Sequence, residues 1–150
     1  MFEQIVVGTD GSEGAEMAVQ HAVELAELCG AKLHLVIGCG AKSVMWADAT
    51  ALGELGMGAS MAHTAQEMVG AWQVKLDEKA AELRGRGLDV SVHVQNETGA
   101  NAVVDVAEET DADLIVVGNR GMSGARRVLG SVPNSVSHRA PCSVLIVDTT

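Results

Sequence analysis

Apolar runs of strand length recur along the chain at residues 5–7, 33–37, 90–94, 114–117 and 144–147, and helical patterns fill the intervals between them. The first helical pattern starts behind Ser12, a good capping residue. It runs through Ala15, Ala18, Val19, Ala22, Val23 and Ala26 at spacings of three and four, and stops at Gly30. A second covers about residues 61–84, with Met61, Ala65, Met68, Trp72, Leu76, Ala80 and Leu83 along one face and Gly85 and Gly87 behind it. That spacing is what a buried face requires, so Met61, Met68 and Trp72 read as core. A third pattern lies near residues 101–110, and a fourth follows Gly130 with Pro133 in its first turn, where proline is tolerated. Strands that alternate with helices predict βαβ crossovers and a parallel sheet covered on both faces. Continuous apolar runs agree with strands buried on both sides.

Residues 38–60 break this rhythm with five glycines, the apolar residues Met45, Trp46, Leu52, Leu55 and Met57, and no clear period. A connection of that length inside a compact domain is either functional, such as a lid or a partner contact, or a poorly ordered excursion.

At 150 residues, 47% of them hydrophobic, the chain is the size of one α/β domain with an adequate core. The formal charge of −10 argues against general binding to nucleic acid or to anionic membranes. With Phe2, Trp46 and Trp72 as the whole aromatic complement, stacking platforms for single strands are missing too. No run of 18 apolar residues and no signal-type start are seen, and three scattered cysteines (Cys29, Cys39, Cys142) suit a reducing compartment. The expected location is the cytoplasm. The histidines (His21, His34, His63, His93, His138) show no metal-ligand spacing, and His21 and His138 fall on helical patterns that bring them to the surface.

Against this acidic background, residues 114–147 contain no Asp or Glu and carry Arg120, Arg126, Arg127 and Arg139 around a glycine-rich stretch from Gly118 to Gly130. Glycine lets backbone approach a ligand closely, and amides at a turn and a helix start attract negative oxygens. A phosphate is the natural candidate. The stretch is not a P-loop, since Gly130-Ser131 has leucine before it and no lysine near. Nor is it a dinucleotide fingerprint, because the first strand leads into Gly8-Thr9-Asp10-Gly11-Ser12. In doubly wound sheets ligands sit outside the carboxyl ends of strands where their order reverses, commonly between the first and fourth. Glu13 and Glu16 suit the dipole of the first helix but repel phosphate, which places the phosphates on the fourth-strand loop. Asp10, an acceptor between the two loops, suits ribose hydroxyls. Ser131 and His138 lie seven residues apart on one predicted helix, about 10 Å, too far for a nucleophile and its base.

These residues together resemble the universal stress protein family over the whole chain. Residues 5–12 resemble its opening, residues 113–118 its fourth strand and residues 140–147 its last. The nucleotide motif G-x2-G, a spacer, then G-[ST] is matched by Gly118, Gly121, Gly130 and Ser131, with a spacer of eight residues rather than nine. The resemblance implies a single Rossmann-like domain with a five-stranded parallel sheet in the order 3-2-1-4-5. It also implies ATP or another adenine nucleotide as ligand, alone or with Mg²⁺, and a homodimer. Carried over, Asp10 with Thr9 faces the ribose and Ile37 presents main-chain groups to the adenine. Val117, Gly118, Asn119 and Gly121 line the nucleoside and phosphate edge, Gly130, Ser131 and Val132 hold the phosphates, and Arg120 adds charge. In that order the last strand is an edge without the lysine or proline that blocks pairing, so the dimer is expected through Val144, Leu145, Ile146 and Val147. The leading expectation is a nucleotide-binding sensor or regulator of a stress response that acts through an unidentified protein partner or a conformational change. A dimeric interaction module without nucleotide, and an ATP-using enzyme on the same scaffold, are the alternatives.

Overall fold

A computed structural model describes residues 1–40, 58–119 and 132–149, with residues 58–65 as backbone alone. Five strands, β1 (Gln4–Gly8), β2 (Lys32–Gly38), β3 (Val90–Gln95), β4 (Leu114–Gly118) and β5 (Ser143–Val147), form one parallel sheet in the order β3-β2-β1-β4-β5. The helices between them are α1 (Glu13–Cys29), α2 (Gly58–Gly85), α3 (Gly99–Glu109) and α4 (Val132–Arg139).

Side chains alternate across a strand, so each strand feeds two cores. Ile5, Val7, Leu33, Leu35, Leu114 and Val116 pack under α1 and the carboxyl half of α2. Val6, Val36, Ile115 and Val117 pack under α3 and Val136 of α4. The chain winds outward from β1 through β2 to β3, then returns past β1 to β4 and β5. The order therefore reverses between β1 and β4, whose carboxyl ends are Gly8 and Gly118.

The helix limits have local causes. Ser12 caps α1 by accepting from the Ala15 amide, and Gly30, in the left-handed region at φ 68°, ends it. Thr98 caps α3 in the same way through the Asn101 amide. Asp113, just before β4, accepts from the amides of Gln4 (2.8 Å) and Glu3 (2.7 Å), in that order the main causes that hold its carboxyl below the usual range. It ties together the amino ends of β1 and β4.

Two expectations from the hydrophobic pattern are corrected. On α2, Leu76, Ala80 and Leu83 are buried as their spacing requires, but Met68 is 42% exposed and Trp72 only half-buried. The reason is length. A helix of 28 residues extends about 42 Å, whereas the six residues of β3 extend about 20 Å, so the first half of α2 runs past the sheet that would bury it. The second correction concerns strand burial. β1, β2 and β4 are enclosed on both faces, while β5, at the edge, leaves Leu145 and Ile146 exposed. Met61, Ala65 and His63 as side chains, and residues 41–57 altogether, lie outside the described residues.

Candidate functional site

A cleft of about 180 Å³ opens at the carboxyl ends of the central strands, where the strand order reverses. Its inner wall is apolar and comes from three elements: Val36 of β2, Val103 of α3 and Val117 of β4, with Val132 at the start of α4. Its rim is polar, with Thr9 and Asp10 leaving β1. Glycines stand where backbones meet. At Gly38 a Cβ would lie 2.7 Å from the main-chain oxygens of Glu97 and Thr98, so β2 can approach the β3–α3 turn this closely only without a side chain.

The turn after β1 organises itself. The Thr9 amide donates to the Val36 carbonyl at 2.9 Å, the Gly11 amide donates to Thr9 Oγ1 at 3.2 Å, and the Ser12 amide donates to Asp10 Oδ1 at 2.9 Å. The Asp10 side chain thus spans its own turn, in the manner of an Asx-turn, and remains exposed at the mouth of the cleft. Gly11 sits at φ 77°, and the indole of Trp72 from α2 occupies the place of its absent side chain. A Cβ built there would land on Trp72 Cη2 and lie 3.1 Å from Cζ3. Sequence spacing gave no hint of this contact, because it joins a strand turn to a helix 61 positions further along the chain.

Of the residues expected at a ligand, Thr9, Asp10, Val117, Gly118 and Val132 line one cleft. Ile37 does not line it; it is 2% exposed, while its neighbours Val36 and Gly38 face the cleft. Asn119 turns the other way. Its Oδ1 accepts from the amide and hydroxyl of Thr149 at 3.0 and 2.7 Å, and its Nδ2 donates to Asp148 at 2.9 Å, which staples the end of β4 to the chain beyond β5. Arg120, Gly121, Gly130 and Ser131, with Arg126 and Arg127, lie outside the described residues. Arg139 is on α4 and donates to Asn101 Oδ1 at 2.7 Å.

The cleft suits a nucleoside in its chemistry: valines for a base, hydroxyl and carboxylate for a sugar. The helix starts of α1 and α3 beside it differ in charge. Glu13 and Glu16 stand in the first turn of α1, and no acidic residue stands in that of α3. Among the described residues no group of three or more His, Cys, Asp or Glu converges as a metal site.

A polar thread that the sequence did not disclose crosses three strands away from the cleft. His34 Nε2 donates to Gln4 Oε1 at 2.9 Å and His34 Nδ1 accepts from His93 Nε2 at 3.0 Å, the tautomers that serve all three side chains with both rings neutral. Burial, with smaller contributions from His93 and Lys32 against the pull of Asp89, lowers His34 to about 4. Burial lowers His93 as well. The signal for this pairing lies in the β2–β3 register, where Val36 stands opposite His93 and His34 opposite Ser91, and not in residue spacing along the chain.

The relatives of this chain agree with that architecture. A universal stress protein of Mycobacterium tuberculosis is 35% identical over 150 residues, covering 99% of this chain and 98% of its own. One from Methanocaldococcus jannaschii is 32% identical, over 98% of this chain and 82% of the relative. Among solved structures, a universal stress protein in complex with cAMP matches with a TM-score of 0.65 and 28% identity, over 99% of this chain and 98% of that one. The protein UspA from Lactobacillus plantarum, 18% identical and covering 97% of each chain, shares the fold at a TM-score of 0.77. The profile of the Universal stress protein family matches residues 1–148, nearly the full length over which the cleft, its rim and the sheet have been traced, and the chain belongs to that family.

Proposed function

We propose that this chain binds an adenine nucleotide in the cleft between β1 and β4 and regulates through occupancy of that site. The base lies against Val36, Val103 and Val117, the ribose hydroxyls reach Asp10 and Thr9, and the phosphates lie towards residues 118–132. The observation that carries the reading is the cleft itself, an apolar wall and a carboxylate rim at the point of strand reversal. The 28% identical relative in complex with cAMP supports the adenine nucleotide as ligand class. A homodimer through β5 completes the proposal, supported by Leu145 and Ile146, 36% and 46% exposed at the sheet edge.

Isothermal titration with ATP, AMP and cAMP, each with and without Mg²⁺, tests the site. Saturable binding by at least one, lost in Gly121→Val, is the expected result. Turnover of ATP above about 1 per second, the low end of ordinary enzymes, would favour an ATP-using enzyme instead. If no nucleotide binds, the exposed β5 edge favours a dimeric interaction module.

A further inference from the structure

We infer that Trp72 is a positioning residue of the nucleotide site: seated on Gly11, its indole holds the turn that aims the Asp10 carboxylate, so that the geometry of the cleft mouth is set from α2. The inference rests on the nucleotide reading above and adds to it a residue far away in sequence.

Among the described residues, the turn is held otherwise only at its start, by the bond from the Thr9 amide to the Val36 carbonyl. Gly11 is exposed and in the left-handed region, and the two bonds beyond Thr9, Gly11 N–H to Thr9 Oγ1 and Ser12 N–H to Asp10 Oδ1, are local and solvent-facing. Bonds of that kind compete with water and contribute little on their own. Glycine in the unfolded or ligand-free turn also has the widest choice of backbone conformations. A rigid indole filling the space where a Cβ would stand removes much of that choice, because few alternative paths for residues 10–12 avoid the ring.

The ring is itself anchored. Lys75 Nζ, one turn along α2, lies 5.2 Å from the indole centroid in a cation–π contact. One further turn along, Lys79 forms an ion pair with Glu16 in the first turn of α1, and Arg86 pairs with Glu27 near its end. The two helices are therefore tied side by side at two levels, with Trp72 above the upper tie at the height of the cleft mouth. Beyond Trp72 towards its amino end, α2 continues for the residues from Gly58, about 21 Å of helix past the sheet. A force on that overhanging half reaches the Asp10 turn through the indole.

Two ligands separate a positioning role from simple stabilisation. AMP and 2′,3′-dideoxy-AMP differ only in the hydroxyls that Asp10 would accept from, and hydrogen bonds to a charged acceptor are worth about tenfold or more in affinity. The wild-type protein is expected to prefer AMP by at least about tenfold, and Trp72→Ala to bind the dideoxy compound as the wild type does while losing most of that preference. Trp72→Phe, whose shorter ring stops short of Gly11, is expected to fall between the two and serves as the folded variant should alanine destabilise the chain. In a Trp46→Phe background, where Trp72 is the sole fluorophore, AMP should shift the emission and the dideoxy compound should shift it less. An undiminished preference for AMP in Trp72→Ala, or in Trp72→Phe if alanine does not fold, overturns the inference and leaves nucleotide binding intact. A wild-type protein that binds neither compound, nor ATP or cAMP, overturns the nucleotide reading and the inference with it. Equal affinity for both compounds in the wild type removes the sugar contact and so overturns the role of Trp72 alone.

Discussion

At the β3 edge of the sheet the carbonyls of Asp89 and Gln95 point inward, accepting from the Leu33 and Cys39 amides. The alternation of a strand therefore turns the Val90 carbonyl outward, and Arg84 meets it there with Nε at 3.0 Å and Nη2 at 2.6 Å. At the β5 edge the chain instead presents Leu145 and Ile146 to solvent. Among the described residues both strands pair on one side only, and both come from the same βαβ pattern. One edge carries a guanidinium on its outward backbone, a device that discourages pairing; the other carries apolar side chains and neither lysine nor proline from Ser143 to Asp148. The contrast teaches that the two ends of the sheet are not equivalent as surfaces: β3 has a guanidinium on one of its outward carbonyls, and β5 has exposed apolar side chains.

The most damaging intervention should be at β5. Leu145→Asp combined with Ile146→Asp is expected to weaken self-association roughly 100-fold, as loss of a central apolar contact typically does, and to convert a dimer to a monomer in sedimentation velocity at micromolar concentration. A wild-type protein already monomeric there would remove the contrast from its oligomeric side.

The β3 side should yield next, and through pH. Because the pKa of His34 is lowered to about 4 from the ordinary 6.5, the unfolded chain binds more protons than the folded one between those values, so stability falls as pH drops through that window. The loss is on the order of 2–3 kcal/mol by pH 4, visible in urea denaturation midpoints. His34→Gln should start less stable at pH 7 and flatten this dependence. An unchanged slope in that variant would show that the acid sensitivity resides elsewhere.

The smallest effect is expected from Arg84→Met. Its two bonds to Val90 are part-buried at the sheet edge, and the loss in stability should be about 1 kcal/mol in denaturant titration. The sharper readout is association. If Arg84 guards the edge, the variant should self-associate at concentrations where the wild type does not go beyond a dimer.

Much of the fold could be read from residues alone, for reasons the structure makes plain. The five apolar runs became the five strands, those of β1, β2 and β4 because interior parallel strands are buried on both faces, and Ser12 and Gly30 bounded α1 because capping is a local matter. The stripe on α2 misled at Met68 and Trp72. Periodicity reports which face of a helix turns inward, not how far along that helix there is a sheet to meet it. The cleft residues Thr9, Asp10 and Gly118 could be named early because strand ends at the reversal point are set by topology, whereas Val117 and Val132 came from the family resemblance. The contacts of Trp72 with Gly11, of Arg84 with Val90 and of His34 with His93 could not, since each depends on register or helix placement that no short stretch encodes.

Asp113 has a mechanical consequence for the cleft. By clamping the starts of β1 and β4 with two short bonds, it makes the lower end of that strand pair the fixed point. Any parting of the two strands as a guest enters must then open like a fan, least at Gln4 and Leu114 and widest at Gly8 and Gly118. A small adjustment inside the molecule would be magnified at its mouth, where the turn bearing Asp10 and the indole above it are placed to feel it.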